Sequence, residues 1–279
     1  MEEKMAIIAI SRQVAALGDE IANAAAKELG YKFIDRKQIE NRIVELGFDR
    51  EKLPKYDERK PKFFASLVKD RDEYLNYLQY AVLEAATQGN CILIGRGAFI
   101  ILADIQNVLS VRFVASDNIR LERLEKEFNW SQKQAQQRID ESDANRLGFH
   151  KSFFNLKNED PQNFLVTLNT GILNIEESVK IIKYLVQTQI SEQDEKDGMK
   201  KIKNLLKAQE VVNYLIFKSK LNINFLRATI SENGKILTLH GVADSSAISS
   251  TAVQIVSGKF PGLTVKSEIS IVQNLKPYT

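Results

Sequence analysis

The sequence predicts an α/β protein. Residues 1–190 read as a parallel sheet with helices on both faces, and residues 199–279 as a small α+β unit. Three observations carry this. Apolar, strand-like runs alternate with helix-period segments through the first 190 residues, as in βαβ units. The polar run Ser191-Glu192-Gln193-Asp194-Glu195-Lys196-Asp197-Gly198 has no periodicity and reads as a linker. Beyond it the order changes to α-β-β-α-β. At 279 residues the chain exceeds the roughly 100–150 typical of one domain.

Met5–Ile10 is an apolar strand, Ser11–Asp19 a turn, and Glu20–Leu29 a helix. Tyr31–Ile34 is a short strand ending at Asp35-Arg36. Helical patterns follow at 37–46 and 62–88, the second with Phe64, Leu67, Leu75, Leu78 and Val82 at helical spacing. Cys91–Ile94 is a third strand, and Gly95-Arg96-Gly97 turns into a short helix with Phe99, Ile100 and Leu102. Val108–Val114 is a fourth strand. The helix Asn118–Phe128 carries Arg120 and Arg123, which read as a solvated face. Ser131 and Gln134 have capping-box spacing at the head of the polar segment 131–155. Phe164–Leu168 is a fifth strand, and Glu176–Gln189 a helix with Val179, Ile182 and Val186 on one face. In the last unit a helix at 200–217 places Ile202, Leu205, Val212 and Ile216 together. Strands at 222–230 and 235–242 flank Asn233-Gly234, which signals a type I′ hairpin. A helix near 245–257 and a strand near 264–273 complete it.

Composition narrows the function classes. The chain is 44% hydrophobic, yet no apolar run reaches the ~18 residues of a membrane span. Met1-Glu2-Glu3-Lys4 lacks the features of a signal peptide, so a cytoplasmic location is expected. The single cysteine, Cys91, lies in an apolar strand and reads as an inert thiol. Two histidines and one cysteine argue against a His/Cys metal site. His150 and His240 look isolated, and Trp130 looks like a packing residue. Residues 200–279 carry 11 Lys+Arg against 4 Asp+Glu, whereas the other 199 carry 28 against 32. The basic unit suits nucleic acid, anionic lipid or an acidic protein, and its scattered lysines fit a solvated surface as well.

A strand, a short turn and a helix N-terminus form the layout of a phosphate-binding loop. The consensus G-x-x-x-x-G-K-[ST] is absent: the turn has no lysine, and of its glycines only Gly18 remains.

Five motifs occur in a familiar order: Ala9-Ile10-Ser11-Arg12-Gln13 with Gly18-Asp19-Glu20-Ile21-Ala22, then Phe33-Ile34-Asp35-Arg36, Ile94-Gly95-Arg96-Gly97-Ala98, Asp143-Ala144-Asn145-Arg146 and Leu168-Asn169-Thr170. Over residues 5–190 the chain resembles the cytidylate kinase-like group of the P-loop nucleoside monophosphate kinases. Leu239-His240-Gly241-Val242 and Phe260-Pro261-Gly262 make the last unit similar to a BON domain.

The resemblance implies transfer of a phosphoryl group from ATP, with Mg²⁺, to CMP or dCMP, a reaction run by positioning and charge neutralisation. Ser11, Arg12, Gln13 and Gly18 would hold donor phosphates. Asp35, Arg36, Gly95, Arg96 and Gly97 would face the acceptor, with Asp35 equally suited to cap a helix. Arg146, Arg138 and Asp143 would belong to a catalytic lid, although Ile139 stands where the family carries its first lid arginine. Relatives carry Gly-Ser-Gly-Gly where this chain has Ala15-Ala16-Leu17-Gly18, and the P-loop lysine falls at Gly18; Arg12 is a candidate substitute cation. An alternative is an inactive nucleotide-binding sensor or scaffold that signals through the BON-like unit to a protein or anionic-lipid partner. Self-association is open on either reading.

Overall fold

The computed structural model describes residues 5–56, 68–156 and 160–272. The chain divides into two compact units, Met1–Met199 and Lys200–Thr279.

The first unit is built on five parallel strands in the order β2-β3-β1-β4-β5. These are β1 (Ile7–Arg12), β2 (Lys32–Ile34), β3 (Cys91–Ile94), β4 (Val108–Val114) and β5 (Val166–Asn169). Its helices are α1 (Gly18–Leu29), α2 (Arg36–Glu45), α3 (Val68–Ala86), α4 (Ala98–Ile101), α5 (Asp117–Phe128), α6 (Gln132–Phe154) and α7 (Ile175–Gln189). A 3₁₀ segment, Arg50–Tyr56, lies between α2 and α3 where no helix was expected. Phe64 and Leu67, expected on the third helix, lie outside the described residues.

The apolar runs become central strands because both faces are covered. Ile8 and Ile10 of β1 pack with Ile92, Ile94, Val111 and Phe113 against Ile21, Ala22 and Ala25 of α1 and Val179, Ile182 and Val186 of α7. Ile7 and Ala9 point to the other face and are fully buried too. The capping box at Ser131 and Gln134 forms, as do others at Asp35 and Asn174.

β1 sits between β3 and β4, where the strand order reverses. In open α/β sheets ligands bind outside the carboxyl ends at such a point. Register brings three loops together there: Ile10 pairs with Ile94, and Arg12 with Phe113. The loop between β1 and α1 is tied to β4 by Gln13, whose N–H donates to the Phe113 carbonyl (3.1 Å) and whose Oε1 accepts from Ala115 N–H (3.1 Å). Ala15 (φ +60°) and Leu17 (φ +54°) adopt the left-handed region here. Leu17 is the residue flanking α1, and its side chain makes no cap bond.

The polar run 191–198, expected as a linker, is helical from Glu192 on. It opens α8 (Glu192–Asn213), with Asp194 Oδ2 accepting from Ser191 N–H (2.9 Å) at its head. A residue-by-residue reason is Gly198: a Cβ there would strike the side chain of buried Asn107.

The second unit holds the rest of α8, a π-helical turn Tyr214–Lys218, β6 (Asn224–Ile230), β7 (Ile236–Ala243), α9 (Ser246–Lys259) and β8 (Thr264–Ile271). β6 pairs antiparallel with β7, and β7 parallel with β8. Val211, Leu215, Leu237, Leu239, Ala252, Val256 and Phe260 form its core. The hairpin turn is not type I′, which needs two positive φ values. Of its residues only Gly234 (φ +74°) has one, and its N–H donates to the Ser231 carbonyl (2.8 Å).

Burial pushes the Cys91 thiol up to about 12. The neutral thiol is therefore the folded form, and this stabilisation is present below about pH 9 and lost as pH rises towards 12. Iodoacetamide at pH 8 should leave the native protein unlabelled and label Cys91 fully in denaturant. Ala15→Gly removes a left-handed penalty of about 1–2 kcal/mol and adds about 0.5–1 of unfolded-state entropy. Urea unfolding should show it unchanged to about 1 kcal/mol more stable, and a clear loss would mean the methyl packs productively.

Candidate functional site

A cleft of about 390 Å³ opens over the loop between β1 and α1. Loop residues 12–20 line one side. Arg123, Glu127 and Phe128 of α5, Trp130, and Arg138, Ser142 and Arg146 of α6 line the rest. The three α6 residues are spaced i, i+4, i+8 and so share one helix face. Ile139 falls on another face and is buried with Leu121, Leu124 and Ala135. The first intrahelical bond of α1 is Ile21 N–H to the Leu17 carbonyl (2.9 Å). The amides of Gly18, Asp19 and Glu20 therefore lie before the helix ladder, at its positive end.

The loop is held from outside by arginines. Arg146 Nη1 donates to the Arg12 carbonyl (3.0 Å), Arg120 Nε to the Val14 carbonyl (3.1 Å) and Arg123 Nη1 to the Ala15 carbonyl (2.9 Å). Asp143 sits between two of them, bidentate with Arg120 (2.9 and 3.0 Å) and accepting from Arg146 Nη2 (2.9 Å). Arg120 also reaches Asp117 (3.1 Å), and Arg123 reaches Thr170 through its hydroxyl (3.1 Å) and carbonyl (2.6 Å). Arg120 is only 1% exposed. The solvated face expected for Arg120 and Arg123 is thus overturned, because α6 and the loop cover α5 on that side. The missed signal was the carboxylate at 143, one helix on. Burial lowers the Arg123 pKa from its ordinary value, with Glu20 opposing.

Arg12 lies at the end of β1 with its stem across Gly18. A Cβ at position 18 would fall 2.6 Å from Arg12 Cγ. Its Nε contacts Asp19 (3.3 Å), and its Nη1 lies against Gly95. Ser11 is buried in the strand.

On the other side of β1, Gly95 (φ +80°), Arg96 (φ +54°) and Gly97 (φ +67°) form a left-handed turn after β3. Gly97 leaves room for the Phe154 ring, where a Cβ would collide. Arg96 is 2% exposed and lies 5.4 Å from the Phe149 ring centroid. It donates to the Tyr56 carbonyl (2.9 Å) and to Glu40 Oε1. Burial, then Arg36 and Arg12, hold its pKa well below the usual arginine value. Arg36 Nε donates to the same Glu40 oxygen (2.7 Å). Asp35 caps α2, its Oδ1 accepting from Gln38 N–H (2.8 Å).

The structure therefore gathers Arg12, Gly18, Arg138 and Arg146 at one cleft and Arg36, Gly95, Arg96 and Gly97 beside it. Gln13 lines the cleft while tying the loop to β4, and Asp35 caps α2. His150 is buried against Phe99 and Phe149. His240 is not isolated: Nε2 meets Thr229 Oγ1 (3.1 Å) and Nδ1 meets Glu268 (3.1 Å) across three strands. Trp130 does pack, stacked on Phe128 at 4.6 Å, at the cleft rim. No group of three or more metal-ligating side chains occurs among the described residues, and no described helix is long and apolar enough to cross a membrane.

None of the curated proteins matches the chain. Among solved structures, an uncharacterized protein from Eubacterium ventriosum ATCC 27560 gives a TM-score of 0.52 at 16% identity, covering 66% of this chain and 99% of that one. Shikimate kinase from Bacteroides thetaiotaomicron gives 0.41 at 16% identity, covering 65% and 98%. A gluconokinase from Sinorhizobium meliloti 1021 gives 0.41 at 14% identity, covering 67% and 96%. The five parallel strands, the loop after β1 and the arginines around it lie within residues 7–172, which the model of the cytidylate kinase-like family matches. That span is more than half of the 279 residues, and the chain belongs to the cytidylate kinase-like family.

Proposed function

We propose that the first unit is a phosphotransferase that moves a phosphoryl group from ATP to a nucleoside monophosphate, CMP or dCMP above others. The observation that carries this is Arg12. Its stem fills the space above Gly18 that a lysine side chain would leave along, and its guanidinium lies between the cleft and the Arg96 turn. A cation between donor and acceptor is what a transferring phosphoryl group needs, because the charge is spread over its equatorial oxygens.

The remaining roles follow from position. The amides of Gly18, Asp19 and Glu20 meet donor phosphates at the helix N-terminus. Arg138 and Arg146 face them from α6. Asp143 is a positioning residue: bonded to both Arg120 and Arg146, it aims Arg146 and leaves acid–base chemistry aside. Arg36 and Arg96 receive the acceptor's phosphate. Mg²⁺ is a hard cation commonly held by one or two carboxylates and substrate phosphates, and Asp19 and Glu20 provide carboxylates at the cleft. When bound it would neutralise phosphate charge. The 200–279 unit is proposed as a BON-like interaction module with a basic surface.

One observation favours the second reading, a nucleotide sensor without turnover. Ala15 and Leu17 hold left-handed conformations normally given to glycine, and their side chains keep phosphates from approaching the backbone closely.

ADP formation with Mg²⁺–ATP and CMP, dCMP, UMP or AMP separates the two. Acceptor-dependent turnover that falls at least about 100-fold in Arg146→Ala is expected, in a protein that still folds but melts lower because the Arg12 carbonyl and Asp143 lose a partner; loss of one preorganised charge contact has that size. Nucleotide binding with no turnover would establish the sensor. Arg120→Met is a stability variant instead. It strips Asp143 and the Val14 carbonyl of a buried partner and should cost about 3 kcal/mol in urea unfolding.

A further inference from the structure

We propose that Glu40 is a displaceable counter-ion that occupies the acceptor's phosphate position and sets the affinity of the site for it. The inference rests on the reading of Arg36 and Arg96 as acceptor ligands.

Arg96 Nη2 and Arg36 Nε both donate to a single carboxylate oxygen, Glu40 Oε1. Arg12 is a third guanidinium close enough to disfavour the charged form of Arg96. Arg96 Nε is buried and has no hydrogen-bond partner among the described residues. A buried donor on a charged group is costly to leave unmet, so the site is built for more acceptor oxygens than Glu40 supplies. A phosphate monoester brings three oxygens and about two negative charges, which suits the planar fork of arginine.

Glu40 is able to leave. Its side chain is 20% exposed, whereas that of Arg96 is 1% exposed. It stands on α2 four residues after Arg36, so rotation about its own bonds carries it towards solvent while the helix stays in place. The left-handed turn at 95–97 and the Tyr56 carbonyl fix Arg96 from behind. The arginines therefore persist as the anion exchanges. In the empty site Glu40 lowers the cost of burying like charges; in the filled site it is replaced by a stronger acceptor. Its displacement raises the dissociation constant of every phosphate that enters.

Glu40→Gln keeps the shape and removes the competing charge. Calorimetry with inorganic phosphate and with CMP should show roughly 5- to 20-fold tighter binding than wild type, in line with a lost charge-assisted contact. Turnover assays should show a lower KM for CMP and little change in kcat. Unchanged or weaker binding in a folded Glu40→Gln protein would overturn the inference. The wild-type chain gives an independent reading. Carbodiimide labelling of Glu40, followed by peptide mass spectrometry, should rise when sulfate replaces chloride at equal ionic strength. Labelling that stays constant would also overturn it. Tighter phosphate binding in the variant with no turnover in either protein would remove the kinase reading and leave the counter-ion standing. Normal turnover with the same KM in both would do the reverse.

Discussion

The site depends on one arrangement: arginines of α5 and α6 gripping the carbonyls of the loop between β1 and α1. Arg120, Arg123 and Arg146 each donate to a different loop carbonyl. Hydrogen bonds from charged donors contribute about 1.5–3 kcal/mol each. That is enough to offset about 1–2 kcal/mol for each left-handed L-residue at Ala15 and Leu17. A glycine-rich loop adopts such a shape from its own backbone freedom. Here the shape is imposed by neighbours, and Asp143 binds two of the three arginines into one unit.

Holding the loop this way changes what α6 can do. In a mobile lid, arginines are free to swing onto substrate. Here Arg120 is spent on structure, and Arg146 is tethered to both the loop and Asp143. The charge that α6 presents to the cleft lies on the stripe of Arg138 and Arg146, with Ile139 committed to the core beneath. In the proposed transfer, preorganisation of this kind would limit both reorganisation and closure, so a tethered Arg146 favours fixed over induced geometry.

The sheet was legible in the sequence because central parallel strands are short continuous apolar runs, as Ile7–Ile10 and Cys91–Ile94 are, while Val108–Val114 alternates buried apolar residues with Ser110 and Arg112. Helix caps at Ser131 and Asp35 were legible because they depend on residues three apart. What was hidden is non-local. Arg120 looks like any surface arginine until Asp143, 23 residues on, is placed over it. Glu40 looks like a helix-surface glutamate until Arg96, 56 residues away, meets it. The packing of α8 at Gly198 was hidden for a different reason: the close approach of Asn107 there depends on an absent side chain, which hydropathy does not register. The missing lysine was visible, but the space it would need is taken by the stem of Arg12, and only the packing of that stem over Gly18 shows it.

The two halves of the site share a design. On the loop side a carboxylate, Asp143, is fixed between arginines and a third exposed, with more partners than it can lose without unfolding the loop's support. On the Arg96 side a carboxylate, Glu40, also bridges two arginines, but through one oxygen. The same chemistry therefore gives a permanent brace in one place and an exchangeable ion in the other. The difference lies in what each arginine does with its remaining donors. Arg120 and Arg146 spend theirs on loop carbonyls, whereas Arg96 keeps a buried Nε in reserve. On the proposed reading the reserve donor of Arg96 is the one a ligand would use, and the satisfied donors of Arg120 hold the loop in shape.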